Sequence, residues 1–357
     1  MKSRLDDVRG VVADGRLTGL LVTSLANIRY LSGFTGSSGV LLVEPRSTTL
    51  FTDFRYETQA ASEVEAGICV EIVADGTWER LKSWLDGSPP GRRLGYEAAN
   101  LTVAERDRLA AACDGATWEP TEGLVEERRA VKDAAELESI AAAVDLADLV
   151  LETIVPGIRP PITEMQLAAL LEFRLRAAGS GPLPFAPIVA FGDRSALPHA
   201  TPSDRPLARG EFVLLDFGAR IDGYCSDMTR VFTAGRAADW QRDLHGEVLR
   251  ACEKGIAALA AGRPCAEVDA AARGSLADAG LAEQFGHSTG HGLGLEIHEA
   301  PRLHRKESRT LSAGNVVTVE PGVYLPGRGG IRIEQVAVVE AAGSRVLTRS
   351  SPELVEL

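Results

Sequence analysis

Four carboxylates stand in pairs on two segments of the chain that have the pattern of β-hairpins. Asp216 follows the apolar run Phe212–Leu215, and Asp227 lies about as far beyond the turn Asp222-Gly223 as Asp216 lies before it. In an antiparallel hairpin this spacing predicts that the two carboxylates lie close to opposite each other. Two facing negative charges are destabilising unless they share a proton or bind a cation.

The second pair, Glu320 and Glu334, is related in the same manner across the glycine-rich segment Gly327–Gly330. Any one of these acids alone would more simply be a solvated strand end. Four of them in mirrored hairpins carry too much charge for proton sharing alone. The pattern therefore predicts a site for two cations.

Between the two hairpins the chain is rich in glycine and histidine, from His287 to Glu299. This glycine content is too high for a stable helix, so we expect a loop or an irregular strand at the edge of a cavity. A lone histidine is more often a structural residue, but four of the six histidines fall beside turns or Gly/Pro-rich segments that flank the hairpins. This clustering favours a functional role. The four are His199, His287, His291 and His298.

The elements that must position these residues form a near-repeat. Each copy has two helices followed by a hairpin, and the second copy begins about 105 residues after the first. The first copy is predicted at Val131–Val155, at a helix from the capping box Thr163 and Gln166 to 178–179, and at the strands Glu211–Gly218 and Gly223–Thr233. The second is predicted at Asp239–Ala261, Pro264–Ala279, Asn315–Tyr324 and Gly330–Glu340. We expect a pseudo-twofold α+β domain whose helices cover one face of a joined sheet, with a cavity on the other face.

The preceding part of the chain has an α/β pattern, in which short apolar runs alternate with amphipathic stretches after an opening helix. The predicted strands are Leu20–Thr23, Val40–Val43, Thr49–Thr52, Cys69–Val73 and Arg93–Tyr96, and the predicted helices are Trp78–Leu85 and Val103–Cys113. The charge-rich stretch Glu126–Asp133 marks the boundary. We expect one domain over residues 1–128 and another over 129–357.

Composition is that of an ordinary globular protein: 45% of the 357 residues are hydrophobic and 25% are charged. The formal net charge is −12, and no Lys/Arg cluster stands out, so we expect no nucleic-acid partner. The pattern of a signal peptide is absent, and no segment is apolar enough to span a bilayer. We therefore expect a cytoplasmic protein without a membrane partner.

The five cysteines are odd in number and widely spaced, at Cys69, Cys113, Cys225, Cys252 and Cys265. None belongs to a Cys-x-x-Cys pair, so the pattern predicts neither a disulfide framework nor a zinc knuckle. Buried free thiols are the expectation.

The motifs that contain these acids and histidines resemble those of the pita-bread metallopeptidases. They are Leu-Leu-Asp-Phe-Gly, Ser-Asp-Met-Thr-Arg, Gly-His-Gly-Leu-Gly-Leu-Glu-Ile-His-Glu, Thr-Val-Glu-Pro-Gly and Gly-Ile-Arg-Ile-Glu. Within this family the chain most resembles the Xaa-Pro aminopeptidase and Xaa-Pro dipeptidase (prolidase) group over residues 131–357. The segment from Asn27 to Phe34 is similar to a creatinase-type N-terminal domain, so the resemblance implies an α/β creatinase-like domain followed by the pita-bread catalytic domain.

The resemblance also implies a role for each site residue. Asp227 and Glu334 correspond to carboxylates that bridge two metals, Asp216 completes one ion, and His291 and Glu320 complete the other. His199 and His298 correspond to outer histidines that contact substrate, while supporting positions are filled by His287, Thr229 and Arg332. Carboxylate oxygens with one imidazole favour Mn²⁺, with Co²⁺ or Zn²⁺ as alternatives.

The implied activity is hydrolysis of the Xaa-Pro bond by a hydroxide that bridges the metals. Metal and His298 would stabilise the oxyanion, and Glu320 would relay the proton to the leaving nitrogen. The implied partners are short peptides with proline at the second position and a second copy of the chain in a homodimer.

Several other activities share part of this pattern. Methionine aminopeptidases use the same ligands but usually lack the large N-terminal domain, and creatinase shares the domain layout but lacks the metal ligands. Catalytically silent binding proteins of this fold have typically lost ligands, whereas all five are present here. An unusual amide as the natural substrate stays open.

One residue bears on the choice between aminopeptidase activity and strict dipeptidase activity. Arg302, four residues after His298, matches a position at which prolidases place an arginine that holds the free carboxylate of a dipeptide. An isolated surface arginine is the simpler alternative. The segment from Tyr30 to Gly36 looks more like the small bacterial aminopeptidases, so we expect that activity, with dipeptides also accepted.

Overall fold

The computed structural model describes residues 4–74, 76–87, 91–112 and 115–357. It divides into two compact units, Met1–Arg129 and Ala130–Leu357, each with its own hydrophobic core. The sequence predicts domain limits of 1–128 and 129–357, which differ from this division by one residue. We propose 1–128 and 129–357 as the limits of the two domains.

The first unit is a mixed sheet with helices between its strands. In chain order its elements are α1 (Arg4–Asp14), β1 (Gly19–Val22), α2 (Leu25–Ser32), β2 (Val40–Val43), β3 (Thr48–Asp53), α3 (Glu57–Glu63), β4 (Cys69–Val73), α4 (Thr77–Asp86), β5 (Arg92–Glu97), α5 (Val103–Ala112), β6 (Ala116–Thr121) and α6 (Glu126–Arg129). The strand order is β4-β3-β2-β1-β5-β6, with β2 antiparallel to both neighbours and the other pairs parallel. The central strands are continuous apolar runs because both faces of such a sheet are covered.

Every strand predicted for the first unit is present, but α2 and β6 were not predicted from the sequence. Helix α2 begins at the N-cap Ser24 and ends at Gly33, whose φ of 77° is a left-handed conformation that favours glycine. Strand β6 was missed because it contains Pro120, which is tolerated at the edge of a sheet and not in its middle. The α5 helix agrees with the prediction over Val103–Ala112, and Cys113 lies outside the described residues.

The second unit contains the predicted repeat of helix, helix and hairpin. Its helices are α7 (Ala134–Ile154), α8 (Glu164–Ala177), α9 (Asp239–Ala257) and α10 (Cys265–Asp278). Its strands are β7 (Ile188–Phe191), β8 (Phe212–Phe217), β9 (Arg220–Ile221), β10 (Tyr224–Cys225), β11 (Met228–Thr233), β12 (Gly290–Gly292), β13 (Glu299–Leu303), β14 (Val316–Val319), β15 (Gly322–Leu325), β16 (Gly329–Arg332), β17 (Gln335–Glu340), β18 (Gly343–Val346) and β19 (Val355–Glu356).

Each pair of helices packs on the hairpin of its own repeat. Apolar side chains of α7 and α8 form one core with β7, β8 and β11, and those of α9 and α10 form another core mainly with β14 and β17. The hairpins lie in separate sheets, ordered β19-β11-β8-β7 and β13-β12-β14-β17-β18, and not in one joined sheet as expected. The sheets meet where the Glu334 amide donates to the Thr229 carbonyl over 3.3 Å.

Local capping decides where two of the predicted helices begin. Helix α7 starts after Asp133, which forms a capping box with Glu136, so the predicted start at Val131 was wrong by three residues. The capping box of Thr163 and Gln166 on α8 is confirmed. These side chains satisfy backbone N–H groups that have no partner within the helix.

The turn of the first hairpin agrees with its sequence signal. Asp222 and Gly223 both have positive φ, 45° and 79°, as a two-residue turn of the favoured twist requires. The long strands predicted on either side are each broken into two shorter ones, and the second hairpin is broken in the same way. Asp227, Glu320 and Glu334 lie in these breaks, whereas Asp216 lies within β8 and belongs to its ladder.

Most cysteines are buried as expected. Cys225, Cys252 and Cys265 lie in the interior of the second unit. Cys69, on β4 of the first unit, is exposed, so the expectation was wrong for this residue.

Candidate metal centre

A cavity of about 450 Å³ in the second unit gathers the residues singled out by the sequence. Its lining includes all of the predicted ligands and outer residues except Thr229. They are His199, Asp216, Asp227, His287, His291, His298, Arg302, Glu320, Arg332 and Glu334. Residues from distant parts of the chain therefore share one concave surface.

The first acidic pair is diagonal and not opposite, which corrects the prediction. In the ladder of β8 and β11, Asp216 pairs with Thr229. Asp227 lies two residues before Thr229, immediately ahead of β11, and therefore on the same face of the hairpin. The two acids are not equally spaced about the turn, because its centre lies closer to Asp227 than to Asp216.

The second acidic pair is opposite, as predicted. The last pair of β14 and β17 is Val319 with Gln335, so the same register places Glu320 across from Glu334. The ladder of β15 and β16 continues that register, beginning at the pair Gly322 and Arg332. The hairpins thus present their acids differently, and the expectation that both pairs are related in the same manner was wrong.

One imidazole faces these carboxylates. Nε2 of His291, on β12, lies 3.6 Å from Oδ2 of Asp227 and 3.4 Å from Oε1 of Glu320. The other ring nitrogen, Nδ1, is 3.0 Å from the carbonyl oxygen of Gly292, so Nδ1 carries the proton and Nε2 is left to coordinate a metal. Nitrogen and oxygen atoms of Asp227, His291 and Glu334 that could bind a metal lie within 4.8 Å of one another.

The site fits divalent cations on two observations. Oδ1 of Asp216 and Oε1 of Glu334 are buried and have no hydrogen-bond partner among the described residues. Burial, reinforced by repulsion from neighbouring carboxylates, raises the pKa of Asp227 and Glu334 well above their ordinary values. A buried carboxylate oxygen without a partner is costly, and a cation removes that cost.

Arg332 is built into this cluster as an internal cation. Its guanidinium contacts Oδ2 of Asp216 and donates to Oγ1 of Thr229 at 3.0 Å and to the Tyr324 hydroxyl at 2.8 Å. Thr229 in turn donates to Oε2 of Glu334 at 2.8 Å. Burial by itself lowers the pKa of Arg332, but the neighbouring Tyr324 and Asp216 raise it well above the ordinary value, so the residue stays charged.

Tyr324 is a site residue that the sequence analysis missed. Its hydroxyl lies 3.0 Å from Nε2 of His287, so it joins that histidine to Arg332. Burial raises the pKa of Tyr324, which keeps the hydroxyl protonated. Tyr324 lies four residues after Glu320, on β15. This closeness in sequence to a predicted ligand could have indicated that Tyr324 belongs to the site.

The outer histidines occupy different parts of the cavity. The ring of His298 packs edge-on against that of His291 with centroids 4.4 Å apart, and burial followed by the charge of His291 lowers the pKa of His298. Burial likewise lowers the pKa of His287. His199 is exposed on the segment after β7. Neutral imidazoles such as those of His287 and His298 can donate a hydrogen bond to an oxygen of a bound ligand.

Arg302 lies beside His291 and not at a distant surface. It pairs with His291 in the ladder of β12 and β13, and its exposed side chain lines the cavity. A charged guanidinium close to the acidic centre can bind a carboxylate of a ligand.

The acidic cluster, its single imidazole and the flanking neutral histidines define the site of a metallohydrolase. A model of metallopeptidase family M24 matches residues 138–341, and a model of the creatinase/prolidase N-terminal domain matches residues 4–131. The chain belongs to metallopeptidase family M24. This membership implies divalent metal ions at the site.

Known relatives extend over the whole chain. An uncharacterized peptidase of Bacillus subtilis is 37% identical over 99% of this chain and 100% of its own length. The structure of an Xaa-Pro dipeptidase from Bacillus anthracis has a TM-score of 0.95 at 38% identity, and that of an X-Pro aminopeptidase from Thermotoga maritima has 0.92 at 33%, each covering 99% of both chains. The predicted fold, a creatinase-like α/β domain followed by a pita-bread catalytic domain, is confirmed. Among the described residues, no helix is long and apolar enough to cross a membrane.

Proposed function

We propose that the chain is an Xaa-Pro aminopeptidase, a dinuclear-metal exopeptidase that hydrolyses the Xaa-Pro bond at the N-terminus of peptides. The observation that carries the proposal is the convergence of four carboxylates and one imidazole on one cavity wall, with neutral histidines around them. The Bacillus anthracis and Thermotoga maritima structures, described as an Xaa-Pro dipeptidase and an X-Pro aminopeptidase, support this substrate class.

The proposal is tested by turnover of matched peptides. The purified protein with added Mn²⁺ is assayed on Xaa-Pro, Xaa-Pro-Yaa-Zaa and Xaa-Ala-Yaa-Zaa, with release of the first residue as the readout. Cleavage of both proline peptides, with little cleavage of the alanine peptide, is the expected result. Equal cleavage of the alanine peptide would contradict the proline specificity, and no cleavage of any peptide would contradict the activity.

The proposed metal ligands are the residues of the acidic cluster. Asp227 and Glu334 would serve both ions, Asp216 would complete one, and His291 with Glu320 would complete the other. The oxygen-rich set favours Mn²⁺, with Co²⁺ or Zn²⁺ as alternatives. When bound, such ions lower the pKa of a coordinated water and polarise a carbonyl group.

The surrounding residues move protons and orient the substrate. Glu320 takes the proton of the attacking water and passes it to the leaving proline nitrogen. His298 and His199 donate hydrogen bonds to the scissile carbonyl region as charge develops on its oxygen. His287 and Arg332 support this arrangement through the Tyr324 hydroxyl that both of them contact.

An apolar wall of the same cavity suits the proline ring. Phe185, Ile188, Ile297 and Pro198 line the cavity together with the charged groups. An apolar surface accepts a pyrrolidine ring without leaving a polar group unpaired, because the imide nitrogen of Xaa-Pro has no hydrogen to donate.

Strict dipeptidase activity is the second candidate, and Arg302 is the observation that favours it. The free carboxylate of an Xaa-Pro dipeptide begins one residue beyond the scissile bond, within the same cavity. A guanidinium there gains a charged contact with a dipeptide and none with a longer peptide. The ratio of kcat/KM on Xaa-Pro and Xaa-Pro-Yaa-Zaa separates the two activities.

We also propose that the protein is cytoplasmic and forms a homodimer that admits short peptides with proline at the second position. The resemblance to the Xaa-Pro peptidase group supports these proposals. Light scattering at assay concentration tests the assembly, with twice the chain mass as the expected result.

A further inference from the structure

His199 lies on an irregular segment that needs support from elsewhere in the fold. The segment, here the His199 loop, runs from Phe191 at the end of β7 to Ser203 and begins with the 3₁₀ helix Gly192–Ala196. His199 itself is exposed and lines the cavity. A side chain on such a loop can meet a substrate reproducibly only when the loop is held in one conformation.

Both ends of the His199 loop are bound by one buried carboxylate. Glu164, the first residue of α8, is fully buried. Its Oε1 accepts from the Phe191 amide at 2.9 Å, and its Oε2 accepts from the Ser203 amide at 3.0 Å and the Ser203 hydroxyl at 2.6 Å. These donors lie at the two ends of the loop, so the carboxylate joins one end to the other. We call Glu164 and its hydrogen bonds to Phe191 and Ser203 the clasp.

A second residue braces the interior of the loop. Nε of Arg194 donates to both carboxylate oxygens of Glu164 at 3.0 Å, and its Nη2 donates to the Thr201 carbonyl at 2.6 Å. Arg194 therefore links the carboxylate to a point two residues beyond His199. Hydrogen bonds between charged groups are stronger than neutral ones, and burial of the carboxylate strengthens them further.

The loop also touches the metal centre next to His199. The carbonyl oxygen of Pro198 accepts from Nη1 of Arg332 at 3.3 Å, and the Ser195 hydroxyl accepts from the Gly330 amide at 2.8 Å. The clasp therefore fixes one side of the loop while the second hairpin fixes the other, and His199 lies between them.

We propose that Glu164 and Arg194 are positioning residues that act on catalysis through His199. The inference rests on the proposed role of His199 in contacting substrate. Loss of the Glu164 charge leaves donors of the loop unpaired, whereas loss of Arg194 leaves the buried carboxylate without its counter-charge and the Thr201 carbonyl without its donor. In either case the loop is free to shift. Displacement of a substrate-positioning group by about 1 Å can cost a hundredfold in rate.

Hydrogen exchange tests the clasp without reference to activity. The metal-loaded protein is compared with Glu164→Gln and the milder Arg194→Met, in which the half-exposed arginine alone is lost. Faster exchange within 192–203, with unchanged exchange in α7 and unchanged metal content, is expected for both variants. Glu172→Gln, an exposed acid on the same helix, is the matched control and should change nothing. If Glu164→Gln does not fold, Arg194→Met decides the test, and exchange equal to that of the unmodified protein overturns the clasp.

A double-mutant cycle with His199→Ala tests the catalytic part. On an Xaa-Pro substrate, Arg194→Met is expected to lower kcat/KM on the order of tenfold when His199 is present and less than twofold in the His199→Ala background. An equal loss in both backgrounds would overturn action through His199. Inactivity of the unmodified protein on Xaa-Pro peptides would instead refute the proposed function, while the exchange result still decides the clasp.

Discussion

Nε2 of His291 lies 3.4 Å from Oε1 of Glu320. His291 is on β12, and Glu320 immediately follows the neighbouring strand β14. Burial lowers the pKa of the imidazole and raises that of the carboxyl group, so both groups are driven towards their neutral forms in the absence of a cation. A divalent ion reverses this tendency for the carboxyl group, because its charge favours the carboxylate.

Removal of metal is expected to abolish peptidase activity and to lower the melting temperature. Without cations, the buried carboxylates repel one another and their ionised forms are poorly solvated. The measurement is activity and thermal unfolding after chelation, followed by addition of Mn²⁺ or Co²⁺, which should restore both. Full activity in protein shown to be metal-free would contradict the proposed site.

Asp227→Asn is expected to weaken metal binding more than His298→Ala. The Asp227 carboxylate is proposed to serve both ions, so its loss should exceed the roughly tenfold to hundredfold change typical of an outer partner. His298→Ala should keep its metal and lose mainly kcat, by roughly a hundredfold or more. Metal content by mass spectrometry and kcat are measured together. An equal fall of metal content in both variants would refute the division of roles.

Arg302→Ala is expected to lower kcat/KM for Xaa-Pro dipeptides by about tenfold to a hundredfold, corresponding to roughly 1.5–3 kcal/mol for a charged hydrogen bond. Longer peptides carry a neutral amide at that point and should be nearly unaffected. The measurement is kcat/KM on both substrates. Equal loss on both would identify Arg302 as a structural residue of the strand, and no loss on either would identify it as solvated surface.

Tyr324→Phe is expected to retain metal and to lose activity. The change removes the hydroxyl that accepts from buried Arg332 and contacts His287, and an unpaired buried donor costs about 1–3 kcal/mol. The free energy of unfolding and kcat should both fall. Tyr96→Phe, at a half-buried position in the first unit, is the control. Unchanged kcat in Tyr324→Phe would show that the contact is dispensable.

Thiol labelling of the native protein is expected to modify Cys69 and to spare Cys252 and Cys265. Burial raises the pKa of Cys252 to about 12 and that of Cys265 to about 11, so both are protonated at pH 8, whereas the thiolate is the reactive form. Cys69 is exposed. Peptide mapping after brief alkylation measures the difference, and rapid labelling of Cys252 would show that this thiol is accessible in the native protein.

Much of the centre could be predicted because its information is local in the chain. The turn at Asp222 and Gly223 needs residues that tolerate positive φ, so its sequence alone indicates a hairpin. The acidic residues beside such hairpins indicate a cation by charge alone. The register predicted for the first hairpin was wrong. A shift of two residues keeps the side chains on the same face, so the pattern of polar and apolar residues does not distinguish the two registers.

The sequence by itself determined the class of chemistry: the residue types and their turns specify a carboxylate-rich metal site and two helix–helix–hairpin units. Only the tertiary structure decided which groups surround that site. Arg332 reaches Asp216, Tyr324 reaches His287, and Glu164 closes the His199 loop through contacts between elements. Such contacts depend on how separate sheets and helices pack. The periodicity of the sequence predicts helices and strands, but it does not predict which side chains of different elements come into contact.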